Sequence, residues 1–143
     1  MPSFTIKNSD LKVNGAITTI NIAISKSLRE ILLERKEEIP NPVTIQALID
    51  TGARFSGVNE EVIKKLRIEP TGVQHVNCAT HTNIPCKQYA ATFEFPGGVT
   101  VETSDLLQVP LENAPIQCVI GRDVLRYGVL IYNGIEQSVT FCL

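Results

Sequence analysis

The feature that most constrains this chain is the segment ALIDTGA at residues 47–53, in which an apolar strand ends in an acid, a hydroxyl and a glycine. Apolar residues alternate along the preceding segment, which is typical of a strand, and Leu48 adds an apolar side chain on its other face. The strand therefore delivers Asp50 from the core. Thr51 supplies a hydroxyl that can fix the loop through a hydrogen bond. Gly52 allows a tight turn and a close approach of another chain or a ligand. The segment is either an ordinary turn or a carboxylate that activates water.

One carboxylate does not suffice to hydrolyse a peptide bond. The reaction needs a base that takes a proton from water and an acid that protonates the carbonyl, and two aspartates that share a proton supply both. The sequence contains no second Asp-Thr-Gly or Asp-Ser-Gly. Asp123 is followed by Val124 and Leu125 in a helical pattern, which is typical of a helix start. If Asp50 is catalytic, we expect its mate to come from a second copy of the chain across a two-fold axis.

The remaining pattern predicts one β-rich domain with two or three short helices. Ser27 and Glu30 match a capping box, Pro40 marks a stop, and Asn59 is placed to cap a later helix. The predicted elements are a strand at 15–25, a helix at 27–38, a strand at 41–50, a short helix at 58–70, strands and turns at 72–109, a buried strand at 118–121, two helical turns at 122–128 and a hairpin at 129–141.

Composition limits the partners. The 143 residues are 43% hydrophobic and 20% charged with a net charge of -2, which indicates a globular domain and gives no support to a nucleic-acid partner. No apolar run approaches the roughly 20 residues that span a bilayer, and the polar N-terminus lacks a signal-peptide core. We therefore expect a cytoplasmic protein with no membrane partner.

The cysteines and histidines do not form a convincing metal site. Without an export signal, reduced thiols are expected. The relevant residues are Cys78, Cys86, Cys118 and Cys142, with His75 and His81 near the first two. Their spacing fits no tight zinc motif, so no metal and no cofactor is predicted.

Two separated blocks of the sequence resemble the retroviral-type aspartic proteases, or retropepsins, and their cellular and bacterial relatives. ALIDTGA is similar to the catalytic loop of that family. CVIGRDVL, at residues 118–125, is similar to its apolar-apolar-Gly-Arg-Asp/Asn-apolar-Leu signature. The resemblance covers residues 42–143 as a protease core, and residues 1–41 look like an N-terminal strand and helix extension of a single domain. It implies a mostly β fold, a closed retropepsin-like acid-protease barrel with one lobe per chain, which acts on a peptide or protein substrate as a homodimer.

The resemblance also implies roles for individual residues. Asp50 would be the general acid and base, Thr51 would hydrogen-bond across the dimer axis, and Gly52, beside Ala53, would bind the substrate backbone. In the second block, Ile120 and Gly121 would pack beneath the catalytic loop, Arg122 would anchor the dimer interface, and Asp123 would be a structural residue near the site. Plain helix-start chemistry is the alternative for Arg122 and Asp123.

The sequence departs from the family pattern at two places. The hairpin at residues 76–85 would be the flap, with Ala79, Thr80 and His81 at its tip, yet it contains no glycine, whereas viral flaps are glycine-rich. Arg54 follows the catalytic loop where relatives often carry a small or acidic residue that pairs with the equivalent of Arg122. Arg54 either favours acidic side chains in a substrate pocket or is exposed to solvent.

Three functions compete. The first is a dimeric aspartic endopeptidase, active at acidic to mildly acidic pH because its two aspartates share a proton. The second is a non-catalytic dimer that retains the fold to bind peptides. The third, an enzyme that depends on a metal or a thiol, lacks a convincing set of ligands.

Overall fold

The computed structural model describes residues 1–8, 10–111 and 114–143. These residues form ten β-strands and four short α-helices. The strands are β1 (Ser3–Lys7), β2 (Ala16–Ile24), β3 (Val43–Ile49), β4 (Gly57–Val58), β5 (Gly72–Val76), β6 (Ile84–Glu94), β7 (Thr100–Gln108), β8 (Cys118–Ile120), β9 (Val129–Asn133) and β10 (Ser138–Cys142). The helices are α1 (Leu11–Asn14), α2 (Lys26–Glu34), α3 (Glu60–Leu66) and α4 (Arg122–Leu125). None of the helices in this part of the chain has the length and apolar content to cross a membrane.

Six strands close into a barrel, which confirms the predicted mostly β, single-lobe fold. Their order is β2-β3-β8-β4-β7-β6, and β6 pairs again with β2. β3 and β8 run parallel, with Ile49 opposite Ile120, so both strands end at the same edge of the barrel. The barrel interior is filled by fully buried apolar side chains, among them Ile22, Phe93 and Ile120. β5 extends β6 outward as a hairpin.

A second sheet joins the two ends of the chain in the order β1-β10-β9. Phe4 of β1 stacks on Phe95, with ring centroids 5.4 Å apart, and meets Phe141 of β10 edge-on at 6.0 Å. This aromatic cluster connects the second sheet to the barrel through Phe93, which stacks on Phe95. Within the described residues, β9 pairs only with β10, so its other edge is open.

Three details of the helix prediction are wrong. Ser25, not Ser27, caps α2, because its backbone is extended and its hydroxyl accepts the Leu28 N–H at 3.2 Å. The helix therefore begins at Lys26, one residue after Ser25. It ends at Glu34, well before Pro40, and two residues later Lys36 adopts a positive φ of 54°. α4 likewise ends at Leu125 instead of filling residues 122–128.

The other two helices differ in whether the local sequence pattern predicted them. The predicted cap of α3 is confirmed, since the Asn59 side chain accepts the Val62 N–H. α1, capped by Asp10, was not predicted, because a helix of four residues has no detectable periodicity.

Candidate active site

Asp50 lies immediately after β3, at the barrel edge where β8 also ends. Its N–H donates to the Ile120 carbonyl at 2.9 Å, and its own carbonyl accepts the Ala53 N–H at 3.2 Å. The side chain is half-buried, and its Oδ1 accepts the Gly52 N–H at 2.8 Å. A Cβ at position 52 would lie 3.0 Å from Oδ1. Glycine at this position therefore keeps the loop tight around a carboxylate that it also orients.

Hydrogen bonds from the first turn of α4 hold the Asp50 loop in place. The N–H groups that open a helix have no partner within it. Here the Arg122 N–H donates to the Ala53 carbonyl at 2.9 Å, and the Asp123 N–H donates to the Arg54 carbonyl at 3.2 Å. The Arg122 side chain adds a 2.7 Å bond from Nη1 to the Thr51 carbonyl. The two blocks identified in the sequence are thus one hydrogen-bonded unit.

Gly121 lies against the backbone of the same loop. A Cβ there would come within 2.7 Å of both the carbonyl carbon and oxygen of Phe55, and 3.0 Å of the Ala53 oxygen. Its N–H donates to the hydroxyl of Ser56 at 2.9 Å. The fully buried Ser56 in turn donates to Oδ1 of Asp123 at 2.8 Å. Ser56 therefore connects the segment after the Asp50 loop to α4.

Asp123 is a partly buried acid within this unit. Burial raises the pKa of its carboxyl group above the ordinary value, and the hydrogen bond from Ser56 only partly offsets that effect. Asp123 Oδ2 is buried and has no hydrogen-bond partner among the residues that the structure describes. Asp123 thus occupies a helix start, as its pattern indicated, and also lies beneath the candidate catalytic loop.

A cavity of about 390 Å³ opens beside the Asp50 loop. Part of its lining is the loop itself, and another part is the end of β5 next to the β5–β6 connection. The lining residues are Gly52, Ala53, Arg54, Phe55, His75, Val76, Asn77, Leu107 and Val109. A cleft of this size between a carboxylate loop and a hairpin has room for a side chain of an extended peptide.

The residues predicted for the flap tip are not among those that line this cavity in the single chain. Ala79, Thr80 and His81 are exposed in the connection between β5 and β6 and do not line it. The hairpin does without glycine because Asn83 adopts a positive φ of 57° and donates its N–H to the Asn77 side chain at 2.8 Å. Asparagine is one of the few residues that tolerate this conformation.

A cysteine lies in the same connection. The Cys78 N–H donates to the His81 carbonyl at 2.9 Å. Hydrogen bonds from Thr80 lower the pKa of the exposed Cys78 thiol to about 7.

Comparison with known proteins decides the family. The sequence model of the aspartyl protease family matches residues 38–124, which include the Asp50 loop and reach into α4. The chain belongs to the aspartyl protease family. A search of curated protein sequences finds no match.

Solved structures place the protease among the retropepsin-like folds. It is similar to a retropepsin-like aspartic protease from Rickettsia conorii, with a TM-score of 0.60 and 12% identity over 97% of this chain and 89% of that chain. It also matches the solution structure of the simian foamy virus (mac) protease, with a TM-score of 0.46 and 15% identity over 77% of this chain and 93% of that chain. At 12% identity the likeness to the Rickettsia conorii structure concerns the fold, so the expected retropepsin-like fold is confirmed, while the aspartyl protease family is shown by the sequence model.

In this protease the residue after the Asp50 loop is Arg54, not an acid that could pair with Arg122. Arg54 stacks on the Phe55 ring, with its Cζ 5.0 Å from the ring centroid. Neither Arg54 nor Arg122 forms an ion pair with any acid in the described ranges. Arg122 bonds the Thr51 carbonyl instead. In this protease, a backbone acceptor replaces the side-chain acid as the partner of Arg122 within the chain.

The partly buried Asp123 should make the stability of the protease depend on pH. Because its pKa is raised in the folded state, the folded protein holds this proton more tightly than the unfolded chain does. Stability should therefore fall as the pH rises above about 4, the ordinary aspartate value, and level off above the raised pKa. Asp123→Asn should remove this part of the slope, because asparagine is neutral throughout and its Oδ1 can still accept from Ser56.

Melting temperatures measured between pH 4 and 8 would test this expectation. Ser56→Ala is the opposing variant. It removes a hydrogen bond that favours the ionised carboxylate, so it should steepen the loss on raising the pH. Identical slopes in the wild type and Asp123→Asn would show that Asp123 does not govern the pH response.

Proposed function

We propose that this protease is an aspartic endopeptidase whose active site is completed by a second copy of the chain. The observation that carries the proposal is a single Asp50, oriented by the Gly52 N–H at the edge of a retropepsin-like barrel, in a sequence without a second Asp-Thr-Gly. Two such loops facing each other across a two-fold axis would bring two carboxylates together. The intact loop favours this function over that of a peptide-binding dimer without activity.

The chemistry follows from two carboxyl groups that share one proton. The ionised Asp50 takes a proton from a water molecule as the water oxygen attacks the peptide carbonyl, and the protonated Asp50 of the other copy donates its proton to the carbonyl oxygen. The tetrahedral intermediate then collapses and the C–N bond breaks, as the first Asp50 gives the proton it took from water to the leaving nitrogen and a hydroxyl of the intermediate returns its proton to the second Asp50. The step needs no covalent intermediate with the protein.

The neighbouring residues have supporting roles in this proposal. Thr51 hydrogen-bonds across the two-fold axis, and Gly52 and Ala53 contact the substrate backbone. Hydrogen bonds from Arg122 to the carbonyls of Thr51 and Ala53 support this arrangement, because they fix the loop from which all three residues project. The tip of the β5–β6 hairpin closes over the bound peptide and excludes water.

We propose that the second copy docks on the open edge of β9. Large apolar side chains are exposed on β9 and on the segments that flank it, and a monomer rarely leaves such an unpaired apolar strand uncovered. They are Tyr127 (58% exposed), Val129 (58%), Ile131 (54%), Tyr132 (60%) and Ile135 (97%). The half-site at Asp50 gives an independent reason for a second copy to bind.

Ile131→Lys should separate the two copies. A lysine on the open edge would place a charge against its symmetry mate, so we expect dimerisation at least about tenfold weaker and a parallel loss of cleavage at low protein concentration. Sedimentation equilibrium and initial rates measured on the same samples would test this. Val13→Lys is the matched control, because Val13 is 74% exposed on α1, outside this surface. A dimeric, fully active Ile131→Lys protein would place the interface elsewhere.

A further inference from the structure

We propose that the cavity beside the Asp50 loop binds an acidic side chain of the substrate and that Arg54 selects for it. The inference rests on the proposed peptidase function and names its specificity. The cationic Arg54 lines the cavity together with His75 and Asn77, and among the residues that the structure describes no aspartate or glutamate lines it. A carboxylate entering this cavity would meet the positive charge of Arg54, side chains that can donate hydrogen bonds and apolar surface.

The position of Arg54 is set by the backbone around it. Its carbonyl accepts the Asp123 N–H, and the carbonyl of Ala53 before it accepts the Arg122 N–H, so α4 holds both residues. Its guanidinium lies over the Phe55 ring at 5.0 Å. Stacking occupies the face of a guanidinium and leaves its N–H edge available for a carboxylate, which it can bind through two parallel hydrogen bonds.

Arg54 is available for such a partner. It is exposed, and no acid within the described parts of the chain pairs with it. The alternative is an arginine that only contacts solvent. The cavity favours a ligand, because His75, near the end of β5, lines the same space and contributes a second nitrogen-bearing side chain.

The experiment compares peptides that differ only by glutamate or glutamine at one position on either side of the cleaved bond. The two side chains have nearly the same shape, so a ratio of kcat/KM reports the charge alone. In the wild type we expect about a tenfold preference for glutamate at one position, the scale of one charge-assisted hydrogen-bonded pair. Arg54→Gln should bring that ratio close to one, and Arg54→Lys should retain part of it, because lysine keeps the charge without the planar fork.

Two further measurements make the result decisive. Arg35→Gln removes an exposed arginine at the end of α2 and should leave the ratio unchanged. Binding of the same peptide pairs to the Asp50→Asn protein, measured by fluorescence anisotropy, separates this inference from the peptidase proposal. A preference for glutamate in binding that disappears with Arg54→Gln would support the role of Arg54 even without cleavage. Equal binding and cleavage of both peptides at every position, or an unchanged ratio in Arg54→Gln, would overturn it.

Discussion

Asp50→Asn is expected to abolish peptide cleavage while leaving the fold intact. Asparagine has the same shape as aspartate, and its Oδ1 can still accept the Gly52 N–H that orients the side chain. It cannot take a proton from water at the pH of the assay, so both halves of the proposed centre lose the acid–base step. We expect a fall in kcat of at least about 1,000-fold, in the upper part of the range for loss of a general base.

A peptide library incubated with the protein near pH 5 and analysed by mass spectrometry would measure this loss. Asp10→Asn is a suitable control, because asparagine also caps helices well and Asp10 caps α1, outside the site. Circular dichroism and the melting temperature should be the same for both variants. Full cleavage by Asp50→Asn would show that the proposed mechanism is wrong.

Gly121→Ala should damage both stability and activity. Its Cβ would come within 2.7 Å of the Phe55 carbonyl carbon and oxygen, and these backbone atoms belong to the segment that follows Asp50. The chain must shift to accept the methyl group, which should lower the free energy of unfolding by about 2 kcal/mol. A displacement of the loop by about 1 Å is expected to lower kcat/KM by about 100-fold.

Gly72→Ala provides the matched comparison for chemical denaturation and kinetics. A Cβ at Gly72, the first residue of β5, would meet no atom within 4 Å, so both quantities should stay close to those of the wild type. If Gly121→Ala behaved like Gly72→Ala, the contact between β8, α4 and the Asp50 loop would not constrain the site.

Local patterns in the sequence predicted most of the elements but little of how they assemble. The alternation that predicted β2, the cap at Asn59 and the turn after β9 are each contained within a few residues. The start of α2 was misplaced because Ser25 and Ser27 can both cap a helix. The parallel pairing of β3 with β8 and the closure of β2 on β6 join distant segments, and no local pattern encodes them. The family resemblance, rather than periodicity, was what indicated a closed barrel.

The residues of the candidate site also divide into those that a local pattern predicted and those that only the structure brings together. The Asp50 loop and the block at residues 118–125 were recognisable, because each carries an unusual local combination. Ser56 was missed, since a serine before a glycine resembles any turn residue and its partner Asp123 is distant in sequence. His75 was also missed, because it lies one residue before the predicted flap, whereas Asn77 lies within the predicted hairpin at residues 76–85 but was not singled out there. The absence of glycine from the hairpin is explained by Asn83, whose positive φ only the structure reveals.

The central claim is that one chain carries half of a catalytic centre, and joint refolding of wild-type and Asp50→Asn chains tests it most directly. Random pairing of equal amounts would leave about half of the wild-type chains facing another wild-type chain, and a threefold excess of the variant would leave about a quarter. The cleavage rate per wild-type chain should fall in the same proportions. A rate per wild-type chain that stays constant at every ratio would show that a single chain contains the complete site.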